Sequence, residues 1–545
     1  MWKFVISRMK KQRGAISYII IIFLSYLISL ISPYLNGKFV DILTTSKNLH
    51  TICQYAIALV IIGFLGAIVS YVASILTVSI STKSSVSIII TTMKNILETK
   101  LIIAEKFNVS YITQRLFQDA NALTSFVLSN FISIFFNGII IIIIGFYFFT
   151  LNKLLWLISC SLLLPYVILF KILKKPLYTT SEKKKEADTQ FFGKIHSNIN
   201  QIMNIQIFDR FGSAEDEANV AFEDYFPYIL KASKISYLFS SIDSILQVVF
   251  QSILFVFAGI EIALNKMSIG EFIMVNSYFS LLLKSVKYYA SFYKQYQDSL
   301  ASYNRILQIL NYPKLDNGNV EIDHIENMEI TNLNFTFDES ATPIFKNTNF
   351  KFTQSKSYAI VGENGCGKST LIKIILGLYE HKNSIIINNN PTTDLDWRKI
   401  RKKHISCVPQ ILYAPQITVK EFLIENLECT SDELQEKIVK FPFLKSYCSF
   451  LLNHLESYCN TLSGGELRKM YLWFALQKGC EILILDEPTS GLDKDSCNEL
   501  IRYITKNKLE QTILIITHDT SIINSADEVL DIKNSTINKS NVILN

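Results

Sequence analysis

Residues 357–380 read SYAIVGENGCGKSTLIKIILGLYE. A run suited to a buried strand, SYAIV, enters a loop punctuated by glycine and leaves it as an apolar helical pattern. That is the strand, loop, helix order a phosphate-binding loop requires. Gly362, Gly365 and Gly367 let the backbone wrap closely, so that its N–H groups and the helix N-terminus face an anion. Lys368 is expected to reach the β- and γ-phosphates of a nucleotide, and the Ser369 hydroxyl to ligate Mg²⁺.

Three further stretches belong to the same chemistry. EILILDEPTS (481–490) reads as a buried strand ending in two acids, where Asp486 can hold the Mg²⁺ shell and Glu487 can polarise an attacking water. TILIIT (512–517) is another apolar strand and ends in His518, which can contact a γ-phosphate; alone, such a histidine reads as a surface residue. TLSGGELRK (461–469) begins an apparent helix whose Ser463, Gly464 and Gly465 offer N–H groups to an anion. One chain already has one phosphate loop. A second phosphate reader therefore calls for a second nucleotide, most economically in a symmetric dimer with two ATP molecules between subunits.

The rest of the chain excludes a purely soluble protein. Of 545 residues 49% are hydrophobic, and runs long enough to cross a bilayer all lie before about residue 290. They fall near 15–36, 52–80, 125–150, 154–173, 236–264 and 269–290, which predicts six spans ahead of a soluble α/β half. The basic start (Lys3, Arg8, Lys10, Lys11, Arg13) reads as an interfacial helix, since no small-residue cleavage site follows it. Lysines cluster after the second and fourth runs (Lys83, Lys94, Lys100; Lys171, Lys174, Lys175, Lys183, Lys184, Lys185), so both termini are expected in the cytoplasm. The net charge of +6 forms no nucleic-acid stripe, and nucleic acid is not expected as a partner. Seven of the nine cysteines lie in the soluble half without zinc-like spacing and read as free thiols of a reducing compartment.

Residues 67–137 contain neither Gly nor Pro, so the second helix can run on into the cytosol; residues 176–234 form a second excursion and 311–324 a linker. Inside the spans, Asp243, Gln247 and Gln251 recur every four residues, as do Ser129, Ser133 and Asn137, while Asn276, Ser280, Lys284 and Lys287 share one helix face. Such residues face a wet cavity or bond helix to helix; both readings stand for the Ser and Asn positions, and the cavity is preferred for Asp243 and Lys284.

Taken in order, these motifs resemble those of the ATP-binding cassette (ABC) exporter superfamily, in the form of a half-transporter. GENGCGKST is similar to its Walker A loop, VPQ with Gln410 to its Q-loop, LSGGE to its signature motif, ILILDE to its Walker B, SGLD with Asp493 to its D-loop, and His518 to its switch histidine. The resemblance extends through TQRLFQDANAL around Asp119 and ASYNRILQIL at the exit of the sixth helix. It implies a membrane domain over 1–312, a linker over 313–325 and a cassette over 326–545. It also implies ATP on Gly362, Glu363, Asn364, Gly365, Cys366, Gly367, Lys368, Ser369 and Thr370, with Phe337 stacking on adenine in place of the usual tyrosine. Mg²⁺ would be held by Ser369, Gln410 and Asp486, with Glu487, His518 and Gln410 serving catalysis. Ser463, Gly464, Gly465, Glu466 (where glutamine is commoner) and Asp493 would complete a partner's site.

Coupling helices are expected near 109–116 and 194–206, and Asp243, Gln247, Gln251, Asn276, Ser280 and Lys284 are candidate cargo contacts. The partner is a second half-transporter chain, the same or different, in a bacterial plasma membrane. MSIGEFIMVNSYFSLL (267–282) resembles bacterial peptide and bacteriocin exporters and favours a peptide cargo. No Cys/His protease domain precedes the first span, so a leader peptide would be removed by another enzyme or retained. The alternatives are a lipid or multidrug exporter and a non-transporting ATP-gated regulator; Glu487 counts against the latter, since a cassette that only gates can dispense with a hydrolytic carboxylate.

Overall fold

Lipid offers no hydrogen bonds to backbone N–H and C=O groups, so each apolar run must satisfy them internally as helix. The computed structural model describes all residues except 46–47, 108, 338–341, 381–382, 442–443, 507–510, 534 and 541–545. Its first half is helical: α1 (Trp2–Met9), α2 (Ala15–Thr45), α3 (Leu49–Leu97), α4 (Leu101–Ala104), α5 (Val109–Phe131), α6 (Ser133–Leu151), α7 (Lys153–Asn200), α8 (Ile202–Ile207), α9 (Phe211–Ala263) and α10 (Ile269–Leu310). The chain forms two compact units, Met1–Lys94 with Asn108–Asn311, and Asn95–Phe107 with Tyr312–Asn545.

In the first unit α2, α3, α9 and the stretch Arg115–Leu151 are, among the described residues, long and apolar enough to cross a membrane. The runs 154–173 and 269–290 lie within α7 and α10. The run expected at 125–150 is divided, because α5 ends at Phe131 and α6 starts at Ser133. α1 packs on α5, with the Trp2 and Phe126 rings 5.4 Å apart. α2 and α10 meet backbone to backbone: a Cβ on Gly270 would lie 2.1 Å from the Gly37 carbonyl oxygen, and Asp41 Oδ1 accepts from Gly270 N at 2.8 Å.

An ion pair joins α5 to α10 and brings together two stretches far apart in sequence. Asp119, only 5% exposed, accepts from Arg305 Nε at 2.7 Å and from Ser302 Oγ at 2.9 Å. Both carboxylate oxygens are thus satisfied, the condition under which a buried charge is tolerated.

The second unit contains two sheets built from β1 (Met328–Phe335), β2 (Phe345–Phe352), β3 (Ser357–Val361), β4 (Ile385–Ile387), β5 (Asn390–Pro391), β6 (Ile405–Val408), β7 (Ile482–Asp486), β8 (Thr512–Ile516), β9 (Glu528–Lys533) and β10 (Thr536–Ser540). A four-stranded antiparallel sheet runs β2-β1-β4-β5, and a six-stranded sheet runs β10-β9-β3-β8-β7-β6. β7 and β8 are buried at every residue and β3 at all but Val361, the pattern of strands covered on both faces. A second core, around the fully buried Trp473, packs helices against β6, β7 and β8 through Val408, Leu483, Leu485, Ile513 and Ile515.

The first of the expected coupling elbows lies earlier in the chain than expected. Residues 109–116 belong to α5, whereas the turn and short helix fall at Asn95–Phe107, inside the second unit. The turn is held from outside: Lys100 N donates to Pro313 O at 3.0 Å, Leu315 N to Glu98 O at 2.8 Å, and Leu101 and Ile102 pack on the cassette's core. Glu105 closes the contact, pairing with Lys373 at 2.7 Å and accepting from the Tyr379 hydroxyl. The second expected excursion does contain a short helix, α8.

Asp119→Ala leaves the Arg305 guanidinium without its partner. Allowing for the partial exposure of Arg305, the full-length protein is expected to lose about 2–3 kcal/mol, and Asp119→Leu with Arg305→Met to recover much of it. Thermal unfolding in detergent measures both; an unchanged midpoint for Asp119→Ala would show that the pair does not hold α5 to α10.

Candidate active site

β3, β8, β7 and β6 are neighbours and parallel, so their carboxyl ends open on one edge. Each is followed by a motif: the glycine loop after β3, His518 after β8, Asp486 and Glu487 at the end of β7, and Gln410 after β6. A cavity of about 550 Å³ occupies that edge and is lined by Phe337, Lys368, Ser369, Gln410, Glu487 and His518 among others.

Gly367 (φ 109°) ends the loop in a left-handed conformation, and a Cβ there would come within 2.5 Å of Ile344 Cγ2. Lys368 Nζ donates to the carbonyls of Gly362 and Glu363 at 2.7 and 3.0 Å, and Ser369 is exposed on the cavity wall beside Asn364, Gly365 and Thr370. Cys366 reaches back under Gly362, where a Cβ would lie 2.7 Å from its Sγ. Phe337 stands edge-on to Phe335 and Tyr379, with ring centroids 5.2 and 5.9 Å away, an apolar wall against which a base can stack.

The acids sit in different environments. Asp486 is 8% exposed; burial first, and then the adjacent Glu487, raise its carboxyl above the usual range. A divalent cation at Ser369, Gln410 and Asp486 would offset that cost, so these residues fit the expected Mg²⁺. Glu487 adopts φ 49°, and its Oε1 lies 3.8 Å from His518 Nε2.

The signature residues lie elsewhere. Helix Gly464–Gln477 starts with a capping box in which Ser463 Oγ accepts from Glu466 N at 3.4 Å, and Glu466 Oε2 accepts from Ser463 N and Oγ, each at 2.8 Å. Asp493 accepts from Ser496 N at 2.8 Å and pairs with Lys469. Among the described residues lining the cavity, Ser463, Gly464, Gly465, Glu466 and Asp493 do not occur. Sequence reasoning missed Ile344 and Ser490, which do line it, and Arg468, which donates to the carbonyls of Gln410 and Glu487. Arg468 stands between Leu467 and Lys469, close to Glu466, so the sequence does not single it out.

In the first unit Asp243 pairs with Lys287 at 2.8 Å, and Lys287 also donates to Gln247 at 3.1 Å. Gln251 donates to Asn276 at 3.0 Å, and Asn137 to the Tyr26 hydroxyl at 3.2 Å. Helix-to-helix bonding thus takes up most of the polar residues. Lys284, expected alongside Asp243, lies exposed on α10, and Ser280 is exposed with its hydroxyl bonded to its own helix.

Residues 15–286 match the model described as the ABC transporter transmembrane region, and residues 345–490 the model described as ABC transporter. The chain belongs to the ABC transporter family: a helical membrane domain fused to a nucleotide-binding cassette, an exporter whose ATPase activity is coupled to transport. It is 23% identical to the mesentericin transport/processing ATP-binding protein MesD of Leuconostoc mesenteroides, over 98% of this chain and 74% of that one. Identity to the lactococcin-G-processing and transport ATP-binding protein LagD of Lactococcus lactis is 22%, over 92% and 72%. Identity to ATP-dependent lipid A-core flippase 2 of Colwellia psychrerythraea is 26%, over 50% and 48%. In fold it is similar to a bacterial Atm1-family ABC exporter solved with ATP bound, with TM-score 0.83 over 96% of this chain and 94% of that one at 16% identity.

Glu487→Gln should lower the ATP turnover number by about 100-fold or more while ATP binding persists, since a general base acts on water and not on nucleotide contacts. Lys368→Ala should weaken ATP binding itself by about 10- to 100-fold, the worth of a charged hydrogen bond. Steady-state hydrolysis alongside equilibrium binding separates the two, and undiminished turnover in Glu487→Gln would remove Glu487 from catalysis.

Proposed function

We propose that two copies of this chain form an exporter of a peptide across a bacterial plasma membrane, powered by two ATP molecules with Mg²⁺ between the cassettes. The observation that carries the dimer is the separation of two phosphate readers. The glycine loop and Lys368 face the cavity, while Ser463, Gly464 and Gly465 open a helix outside it. A second chain would bring its signature to this cavity and receive the same in return, the self-complementary arrangement of a two-fold dimer.

In this reading the bilayer holds six spans within residues 1–312, with both termini and the cassette (326–545, after the 313–325 linker) in the cytoplasm. ATP lies on the Walker A loop with adenine against Phe337. Ser369, Asp486 and Gln410 hold Mg²⁺, which neutralises phosphate charge. Glu487 orients the attacking water and His518 faces the γ-phosphate, while Glu466 and Asp493 border the partner's nucleotide. α4 and α8 transmit cassette closure to the spans, which alternate between inward- and outward-open states; hydrolysis resets them.

Peptide cargo is supported by the 267–282 stretch and by the breadth of similarity. The mesentericin and lactococcin G transport proteins match nearly the whole chain, whereas the lipid A-core flippase matches half. Of the polar residues on α9 and α10, Ser280 and Lys284 are exposed and open to a cargo rich in backbone amides, while Asp243, Gln247, Gln251 and Asn276 are held helix to helix.

Mixed dimers test the shared sites. A Ser463→Arg chain combined with a wild-type chain should impair the site whose walls come from the wild-type Walker A loop; two unaffected sites would rule the composite out. The cargo is tested by reconstituting the protein in vesicles with candidate peptides, lipids and dyes, and measuring ATPase stimulation together with ATP-dependent accumulation. Stimulation and transport by a peptide are expected, and transport of lipid or dye without response to any peptide would overturn the peptide reading alone.

A further inference from the structure

Arg468 is 8% exposed, and its guanidinium donates to two backbone carbonyls at the ends of the neighbouring strands β6 and β7. Nη1 bonds Glu487 O, and Nη2 bonds Gln410 O at 2.9 Å. A planar guanidinium presents several N–H groups in fixed directions, so one side chain can set the separation of two acceptors, which a lysine's single ammonium does poorly.

Both acceptors precede structures that hydrolysis depends on. Glu487 sits at φ 49°, a region non-glycine residues rarely occupy, and must be held there. Its N–H is held by Ile516 O at 2.9 Å, at the end of β8, and its carbonyl by Arg468. With the peptide units fixed on both sides, the direction in which the Glu487 carboxylate leaves the backbone is set. The same guanidinium anchors the backbone of Gln410 after the neighbouring strand β6.

Arg468 is also attached to the start of its own helix, which is locked to the loop following the acids. A Cβ on Gly465 would lie 2.3 Å from Gly491 O, and Lys469 pairs with Asp493. A shift of that helix therefore carries Arg468 with it.

We infer that Arg468 is a positioning residue for ATP hydrolysis: by holding the carbonyls of Gln410 and Glu487 with one guanidinium, it makes the placement of the signature helix a condition for alignment of the hydrolytic carboxylate. The inference rests on the cassette within one chain and on its ATPase activity, and stands whether or not the dimer is as proposed above.

The full-length protein in nanodiscs carries the test, with Arg468→Gln, which removes the charge and the fork, and Arg468→Lys, which keeps the charge and reaches one carbonyl. The expected result is a fall in kcat of about 10- to 100-fold for Arg468→Gln and an intermediate value for Arg468→Lys. Equilibrium ATP binding and the unfolding midpoint should stay near those of the unaltered protein in both. Unaltered kcat in both variants, or ATP affinity falling in step with kcat, would overturn the assignment. Because Lys and Gln both fill the Arg468 site with a long side chain, the comparison remains decisive if a smaller replacement fails to fold.

Discussion

Parallel strands buried on both faces leave polar chemistry one place to go. β3, β8 and β7 are lined with Ile, Leu, Val and Ala and carry no exposed face, so functional groups collect where the strands end. Four motifs spread from Gly362 to His518 reach the same edge because strand order, not chain order, sets adjacency. The spacing of strands then fixes the width of the cavity between Lys368 and Glu487.

The cost of burying charge shapes both units in the same way. Asp119 in the helical unit and Asp486 in the cassette are comparably hidden, 5% and 8% exposed. Asp119 is fully engaged by Arg305 and Ser302, which suits a fastening between helices. Asp486 has Arg468 near but bonded to carbonyls, and its carboxyl is raised by burial and by Glu487. A charge left unsettled in this way favours binding a cation, and the contrast between the two aspartates separates a structural group from a chemical one.

The elbow at Asn95–Phe107 shows how an extended helix can be ended without a breaker residue. Nothing in SIIITTMKNILETKLIIAEKF stops a helix by propensity, and the sequence reading let α3 run on. The stop comes from partners remote in the chain: Pro313 and Leu315 bond the turn, and Lys373 and Tyr379 hold Glu105. Tyr379 stands edge-on to Phe337, so this elbow touches a ring that contacts the ring expected to carry adenine.

By itself the sequence determined the class of each half and the identity of the nucleotide site. Hydropathy separates helices from cassette because only long apolar runs suit lipid, and glycines, Lys368, Asp486 and Glu487 stand in local patterns whose chemistry is carried by neighbours in the chain. The tertiary structure decided what depends on distant neighbours: that the stretch expected to span at 125–150 carries a one-residue junction at Ile132, that Asp243 pairs with Lys287, that the elbow lies before residue 108, and that Arg468 binds the carbonyls of Gln410 and Glu487. A side chain's partner across a helix or sheet interface is set by packing geometry, to which sequence periodicity contributes only a face.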